Sequence, residues 1–368
     1  MLKINYILLI LLVIIILVFF ALKVNGRQDR NVYLSLKEAN SLYKSNFMTS
    51  DGRIMDPDKK NISTSEGQSY IMLQSLVLDD KETFDLAFSW AKNNLQRKDK
   101  LFAWLWGKSP QGKYEILDYN SASDADVDIA FALLLAHEKW KQTEYLTEAL
   151  HIINSIWNNE TKRIGNHLVL MPGVEQMSDS KIEVNPSYFS PYAFKLFHEY
   201  DENHDWTVLV DSSYYYLNLV MSETTTGLPP NWFVVTDGKV IFEKTPRGDF
   251  SYDAVRVFPR IYMDYLKTGD KRADSVLEKS RFFVTKWMES GKFYTNYKSD
   301  GELSDENQYI GSIAILLPII NLYDSKVAKQ IYEQKLEQKI KSKEYWTVKN
   351  DYYGKNLTWF GIFFYKKN

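Results

Sequence analysis

The sequence contains no cysteine and only five histidines among 368 residues. Without thiols, a disulfide framework, a cysteine nucleophile and a cysteine-ligated metal are all excluded. The histidines are scattered and form no HExxH-like pair, so the pattern predicts neither a metal site nor a cofactor. Charges nearly balance, at a net charge of −2. The chain therefore lacks the broad basic field that would predict a nucleic-acid partner.

Aromatic residues, by contrast, are abundant. The chain has 25 Tyr, 20 Phe and 10 Trp, which together make up 15% of its residues. One interpretation is a large core in which many of these rings are filler. The other is a groove lined with flat, amphipathic rings that stack on sugar faces while their polar groups bind hydroxyls. Composition alone leaves both open.

The N-terminus carries a long apolar run. Residues Ile7–Leu22 are nearly free of polar groups, and about 20 apolar residues can cross a bilayer as a helix. The alternatives are a cleaved signal peptide and an uncleaved anchor. Ala21–Lys23 is a poor cleavage site, which favours the anchor, and Lys3 is a weak signal for orientation. We therefore assign residues 1–30 to a membrane anchor or signal segment and residues 31–368 to one catalytic domain. Placing that domain outside the cytoplasm depends also on the function that the rest of the sequence indicates.

The rest of the sequence is predominantly helical in its periodicity, with about twelve predicted helices and a possible hairpin at Trp232–Glu243. After a helix that opens near Glu66, others are predicted at Lys81–Leu95, Asp126–Trp140, Thr143–Trp157, Pro186–Tyr200, Asp205–Met221, Asp253–Leu266, Arg272–Met288, Ile310–Leu322 and Ala328–Ile340. Successive helix pairs of this length suggest an α/α toroid, and an irregular bundle or solenoid is the alternative.

Glu66 is the first candidate for chemistry, at the start of an apolar helix in the segment SEGQSY. Gly67 would allow another chain to approach closely, and Tyr70 lies one turn further on. A carboxyl group here could act as the acid that protonates a leaving oxygen. The competing interpretation is a capping box, with Ser63 as N-cap and Glu66 reaching back to its backbone.

Two further acidic segments also contain candidates for catalysis or sugar binding. Asp124, Asp126 and Asp128 precede an apolar helix at alternate positions. Asp124, together with Asp126, could bind sugar hydroxyls, or the three acids could simply favour a helix N-terminus. Asp253 and Arg256 are three residues apart, so on a helix they share a face. A carboxylate beside a guanidinium could serve as a general base, although an ordinary surface ion pair has the same spacing.

These three segments, in this order, resemble glycoside hydrolase family 8, which includes endoglucanases, licheninases, chitosanases and xylanases. The stretch ASDADVDIAFALLLAHEKW from Ala122 to Trp140 resembles the family signature over its whole length. The segments LFAWLWG, NPSYFSPYAF, GLPPNW, YDAVR and DYYGKNLTWFG also follow the family order, so that the resemblance extends from about Asn61 to Phe364.

The resemblance implies an all-α (α/α)6 barrel and an inverting endo-glycosidase that acts on a β-linked polysaccharide. It implies Glu66 as the general acid, Asp253 as the general base and Asp124 as a residue that holds the sugar. The further substrate-binding residues that it suggests are Asp126, Tyr70, Trp104, Trp106, Tyr188, Trp232, Tyr252 and Arg256. No cofactor is implied.

Two departures from the family pattern bear on the substrate. Ile71 replaces a small residue, and Val257–Arg260 lacks a tryptophan that is common in cellulose-cutting members. An anchored enzyme that trims exopolysaccharide beside a synthase or export complex would fit both the anchor and the resemblance. The alternatives are a non-catalytic polysaccharide-binding protein of the same fold and a polysaccharide lyase, for which no Tyr/His motif stands out.

Overall fold

The computed structural model describes residues 27–175, 181–236, 239–241 and 247–367. The apolar run Ile7–Leu22, predicted to be an anchor or signal, lies outside these ranges. Within them, no helix combines the length and the apolar character that crossing a bilayer requires.

The described chain is mostly helical, as predicted. The helices are α1 Arg27–Phe47, α2 Ser65–Leu78, α3 Lys81–Asn94, α4 Ser123–Trp140, α5 Thr143–Asn159, α6 Pro191–Tyr200, α7 Thr207–Ser222, α8 Val257–Thr268, α9 Arg272–Leu277, α10 Arg281–Ser290, α11 Ile310–Tyr323, α12 Ser325–Ile331, α13 Glu337–Lys341, α14 Lys343–Thr347 and α15 Tyr352–Lys367.

Six of these helices contact one another in a closed cycle, in the order α2, α4, α6, α8, α11, α15 and back to α2. Each of the six also packs against an outer helix that is its neighbour in sequence or, for α15, against α1. Burial reflects this arrangement. Every residue of α4 from Ser123 to Leu134 is buried, whereas α5 buries one face only, at Tyr145, Ala149, Ile152, Ile153 and Ile156. A helix buried all round belongs inside, and an amphipathic helix belongs outside.

Several predicted boundaries change for local physical reasons. Thr64, not Ser63, caps α2, because its hydroxyl accepts the Gly67 N–H at 3.1 Å. This excludes the competing capping-box interpretation of Glu66, which needs Ser63 as N-cap. Pro191 begins α6 after a separate 3-10 turn at Pro186–Tyr188, since proline suits the first turn of a helix.

Two of the predicted long helices are interrupted. The one predicted at Arg272–Met288 is broken by a 3-10 turn at Glu278–Ser280, and the one at Ala328–Ile340 by a π-helical segment at Tyr332–Leu336.

Three small antiparallel sheets accompany the helices. The first contains β1 Ser63–Thr64, β2 Ala103–Lys108 and β3 Tyr114–Ser121; the second contains β4 Thr161–Ile164 and β5 His167–Leu170; the third contains β6 Lys181–Val184, β7 Phe233–Thr236 and β8 Lys239–Ile241. The β7–β8 pairing confirms the predicted hairpin. The other two sheets were not predicted, because their strands are short and do not alternate cleanly between apolar and polar residues.

The first sheet and the ring helices meet at one end of the ring. Thr64 of β1 pairs with Leu105 of β2, and the chain leaves β1 directly into α2. β3 ends at Ser121, two residues before α4 begins. The N-terminal ends of α2 and α4 therefore lie beside this sheet, and they carry Glu66 and Asp124.

Candidate active site

The guanidinium group of Arg256 joins three carboxylates from three separate parts of the chain. Its Nη1 atom lies 2.8 Å from Asp124 Oδ2 and 3.7 Å from Glu66 Oε1, and its Nη2 atom lies 3.1 Å from Asp253 Oδ1. Arg256 itself is only 4% exposed. A rigid, planar guanidinium with several donors suits this bridging position. The structure thus brings together four residues predicted from three separate sequence segments.

This shared partner limits the separation of Glu66 and Asp253. Each contributes an oxygen that contacts the same guanidinium, so these two oxygens are no more than about 9 Å apart, given the small size of that planar group. Two carboxyl groups about 6.5–9.5 Å apart leave room for a water beside a sugar ring. The upper limit set by Arg256 is compatible with that arrangement.

Glu66 is held in conditions that favour its protonated form. Burial raises the pKa of Glu66, and the nearby charges of Asp124 and Asp253 act in the same direction, while Arg256 opposes them. Its Oε1 atom is buried without a hydrogen-bond donor among the described residues. A carboxyl group with a raised pKa is suited to deliver a proton to a leaving oxygen.

Asp253 lies in a more open position, with 38% of its side chain exposed, against 25% for Glu66. Trp232 donates its indole N–H to Asp253 Oδ2 at 3.0 Å, and Arg256 donates to Oδ1, so both oxygens are oriented. The loop is held by Asn231, whose side-chain oxygen accepts the backbone N–H of Ala254 at 3.0 Å. Asp253 is therefore fixed in direction yet reachable by solvent water.

Aromatic rings surround these carboxylates. The Arg256 guanidinium lies 5.5 Å from the centre of the Tyr188 ring, and Tyr188 meets Trp232 edge to face at 6.1 Å. Tyr252, next to Asp253, is 42% exposed, and its hydroxyl accepts a hydrogen bond from Asn307. The predicted aromatic positions Tyr188, Trp232 and Tyr252 thus lie at the site.

The two tryptophans predicted to bind substrate both lie on β2, and Trp104 is the more exposed of them, at 36%. Trp106 is stacked on Tyr114 at 5.1 Å, and the Arg53 guanidinium lies 4.2 Å from its ring centre. Its edge also packs on Trp90. These neighbours cover much of the Trp106 ring, which is half-buried, and its role in sugar binding stays a prediction.

Tyr70 and Asp126, which were also predicted to bind substrate, are both buried. Tyr70 is 6% exposed, with its hydroxyl group facing Glu66, which makes it a neighbour of the candidate acid. Asp126 is fully buried, and its Oδ1 atom accepts the Phe102 N–H at 2.8 Å. Its carboxyl group also contacts Glu160. The prediction that Asp126 binds substrate is therefore corrected, since its side chain points into the interior.

Two features of the site were not among the predicted residues. Tyr353, in the first turn of α15, lies close enough to Arg256 and Glu66 to interact with their charges, and its hydroxyl donates to the Tyr252 carbonyl at 2.9 Å. The segment DYYGKNLTWFG was the signal that could have found it. The second feature is a buried ion pair between Arg260 and Asp128, with two contacts of 2.8 Å, one helical turn below Arg256 and Asp124.

Together, a carboxyl group whose pKa is raised by burial, an oriented and accessible carboxylate, and flanking aromatic rings are the features expected of a glycoside-cleaving hydrolase. No group of three or more His, Asp or Glu side chains that could hold a metal ion occurs within the described ranges.

Comparison with known proteins agrees with this class. Residues 32–367 match the profile of glycosyl hydrolases family 8, and the chain belongs to that family. It is 31% identical over 300 residues to an endoglucanase of Escherichia coli K12, covering 78% of each chain.

Two solved structures are similar to the whole domain. An endo-1,4-D-glucanase from Vibrio fischeri superimposes with a TM-score of 0.77 at 27% identity, covering 88% of this chain and 93% of that one. A β-1,3-1,4-glucanase from Paenibacillus sp. X4 gives a TM-score of 0.77 at 22% identity, covering 94% of both chains, a likeness of fold.

Proposed function

We propose that this protein hydrolyses a β-linked polysaccharide endo-wise and with inversion at the anomeric carbon. The observation that carries the proposal is the contact of Arg256 with both Glu66 and Asp253. Glu66 protonates the leaving oxygen, while Asp253 deprotonates a water molecule that attacks from the opposite face of the sugar. The closed cycle of six helices, each with an outer partner, supports an (α/α)6 barrel as the scaffold.

The remaining groups position the reaction. Asp124 is ion-paired with Arg256 at 2.8 Å in the first turn of α4, and we assign it a hydrogen bond to a sugar hydroxyl through the 2% of its side chain that remains exposed. Trp104, Tyr188, Trp232 and Tyr252 offer ring surfaces that suit the apolar faces of a sugar chain. Arg256 keeps the two reacting carboxyl groups in a fixed relation to each other.

For the substrate we propose a β-glucan, with a β-1,4-linked chain as the first candidate. This rests on the names of the similar proteins, which include an endoglucanase, an endo-1,4-D-glucanase and a β-1,3-1,4-glucanase. The departures noted in the sequence lie behind the site: Ile71 and Phe258 are fully buried, and Arg260 is paired with Asp128. They therefore alter packing more directly than they alter the surface that a sugar would touch.

A panel of polysaccharides tests the reaction and its stereochemistry together. We expect the protein to release reducing ends from barley β-glucan or carboxymethylcellulose, and NMR to show the α-anomer of the product first. A β-anomer appearing first would contradict inversion. An unsaturated, ultraviolet-absorbing product would indicate a lyase, and binding without release would indicate a non-catalytic carbohydrate-binding protein. Xylan and chitosan complete the panel, and the Glu66→Gln variant controls for contaminating activity.

We also propose that the apolar run Ile7–Leu22 anchors the protein with the groove facing away from the membrane. Helix α15 begins with Tyr352 and Tyr353 at the site and continues for 16 residues, about 24 Å. Helix α1 runs antiparallel to it, since Asn356 donates to Tyr43 and Trp359 to the Leu36 carbonyl. The start of α1 therefore lies at the end of the ring opposite the site. A groove in this position suits a polysaccharide emerging from a synthase or export complex.

The absence of cysteine makes this orientation measurable. Single cysteines at Gln142, between α4 and α5, and at Glu306, beside the groove residue Asn307, would carry a fluorophore on full-length protein in lipid vesicles; both positions are exposed. We expect energy transfer to a membrane dye to be stronger from position 142 than from position 306. Protein that fails to float with the vesicles would refute the anchor, and the reverse order of transfer would refute the orientation.

A further inference from the structure

Two buried acids lie beside the site without taking part in the proposed reaction. Asp126 and Glu160 both have no exposed surface. The Phe102 N–H donates to Asp126 Oδ1 at 2.8 Å, and the Ser121 hydroxyl donates to Glu160 Oε1 at 2.6 Å. The second oxygens, Asp126 Oδ2 and Glu160 Oε2, receive no donor from the described residues, and the two carboxyl groups contact each other.

Two ionised carboxylates in this position would repel each other in a dry interior, and neither would compensate the other's loss of hydration. One proton held between them removes the repulsion and supplies the missing donor. In agreement, burial raises the pKa of Glu160 to about 8 and raises that of Asp126 well above its usual range. The other charged groups that act on the pair are Asp124, in the same helical turn, and Arg97, from the segment after α3.

We propose that Asp126 and Glu160 share one proton, and that this protonated pair positions Asp124 and the β2–β3 hairpin at the active site. The positioning role rests on the function proposed for Asp124. Whether the proton is shared can be decided from stability alone, without any substrate.

The contacts of the pair explain how it could position the site. Asp126 follows Asp124 by two residues in the first turn of α4, so a displacement of one moves the other. Phe102 precedes β2, which carries Trp104, and Ser121 ends β3. The Glu160 carbonyl also accepts the Met171 N–H at 2.8 Å. The pair thus links the start of α4, both ends of the hairpin and the end of α5.

The sign of the pH effect follows from linkage. In the unfolded chain both acids are ionised above about pH 4, whereas in the folded protein the pair keeps a proton to a much higher pH, because burial raises the pKa of both groups. The folded state therefore binds more protons over this interval, so that stability decreases as pH rises through it. Above the folded pKa the pair carries two charges, and the contacts that hold α4 to the hairpin are weakened.

Glu160→Gln tests the shared proton. The glutamine amide can accept a hydrogen bond from Ser121 and donate one to Asp126 at every pH. With Asp126 ionised, the variant pair carries one negative charge, as the protonated wild-type pair does. Between pH 5 and pH 9 we expect the Tm of the wild type to fall by at least about 4 °C more than that of the variant. We also expect the variant to be the more stable protein at pH 9. Parallel curves of Tm against pH would overturn the shared proton.

A second pair of measurements tests the positioning role. Glu160→Ala removes the contacts with both Ser121 and Asp126, and we expect its KM for the polysaccharide to be at least about tenfold higher than that of the wild type. Glu160→Gln keeps these contacts, so its KM at pH 6 should equal the wild-type value. A folded Glu160→Ala protein with unchanged KM and kcat would overturn the positioning role. If that variant does not fold, KM at two pH values decides, because positioning requires KM of the wild type to rise between pH 6 and pH 9 while KM of Glu160→Gln stays constant; equal KM profiles in the two proteins would overturn the role.

Discussion

Replacing Glu66 by glutamine is expected to lower kcat on a natural polysaccharide at least about 100-fold, since positioned acid catalysis contributes roughly 10²–10⁴. The amide has nearly the shape of the acid but has no proton to give to the leaving oxygen. The Tm should not fall, because the folded protein no longer has to bury a carboxyl group whose pKa is raised by burial. Initial rates of reducing-end release and a thermal melt measure both effects.

A substrate with a good leaving group separates loss of the acid from general damage. The dinitrophenolate group of a dinitrophenyl glycoside leaves without being protonated. Glu66→Gln should therefore cleave this substrate at a rate close to that of the wild type. The matched control is Glu144→Gln, an exposed position at the start of α5, which should leave both activities unchanged. If Glu66→Gln keeps more than about a hundredth of the polysaccharide activity, Glu66 is not the general acid.

The pH dependence of the wild type gives a further check on Glu66. The acid must be protonated to act, so kcat/KM should decrease as pH rises through its raised pKa. Asp124→Asn removes a negative charge that opposes ionisation of Glu66, and it leaves Arg256 freer to favour the ionised form. Both effects lower the pKa of Glu66 in this variant, so its kcat/KM should begin to decrease at a lower pH than that of the wild type. A decline that stayed in place or moved to higher pH would show that another group controls it.

Replacing Asp253 by asparagine is the second change with a large expected effect, again at least about a 100-fold loss of kcat. Here the water molecule loses the group that takes its proton, so an activated leaving group should not restore the rate. The effect on stability should be small, because the side chain is 38% exposed and its ion pair with Arg256 is partly solvated. Steady-state rates on the polysaccharide and on the dinitrophenyl glycoside distinguish this pattern from that of Glu66→Gln.

Binding of an oligosaccharide provides the control for Asp253→Asn. Trp232 and Arg256 each donate to this side chain, and the amide can still accept from one of them. We expect calorimetry to give a Kd within about tenfold of the wild-type value, since the groove rings are untouched. Loss of binding together with turnover would assign Asp253 to sugar recognition instead of proton transfer.

The main residues of the site could be predicted because their segments are local and distinctive. Glu66, Asp124, Asp253 and Arg256 were predicted in separate segments, and the structure places them around one guanidinium. Tyr353 was not predicted as a site residue, although its segment was noted. The substrate role predicted for Asp126 was corrected, because a one-dimensional pattern does not say which side of a helix turn faces the solvent.

What the sequence determined by itself was the predominance of helices and the identity of the acidic side chains, because helical periodicity and residue chemistry are local properties. Only the tertiary structure decided that Arg256 joins three carboxylates, that Trp104 is more open than Trp106, and that Asp126 meets Glu160. Those outcomes depend on contacts between residues far apart in the chain. Their electrostatic consequences arise only when packing removes the water between them.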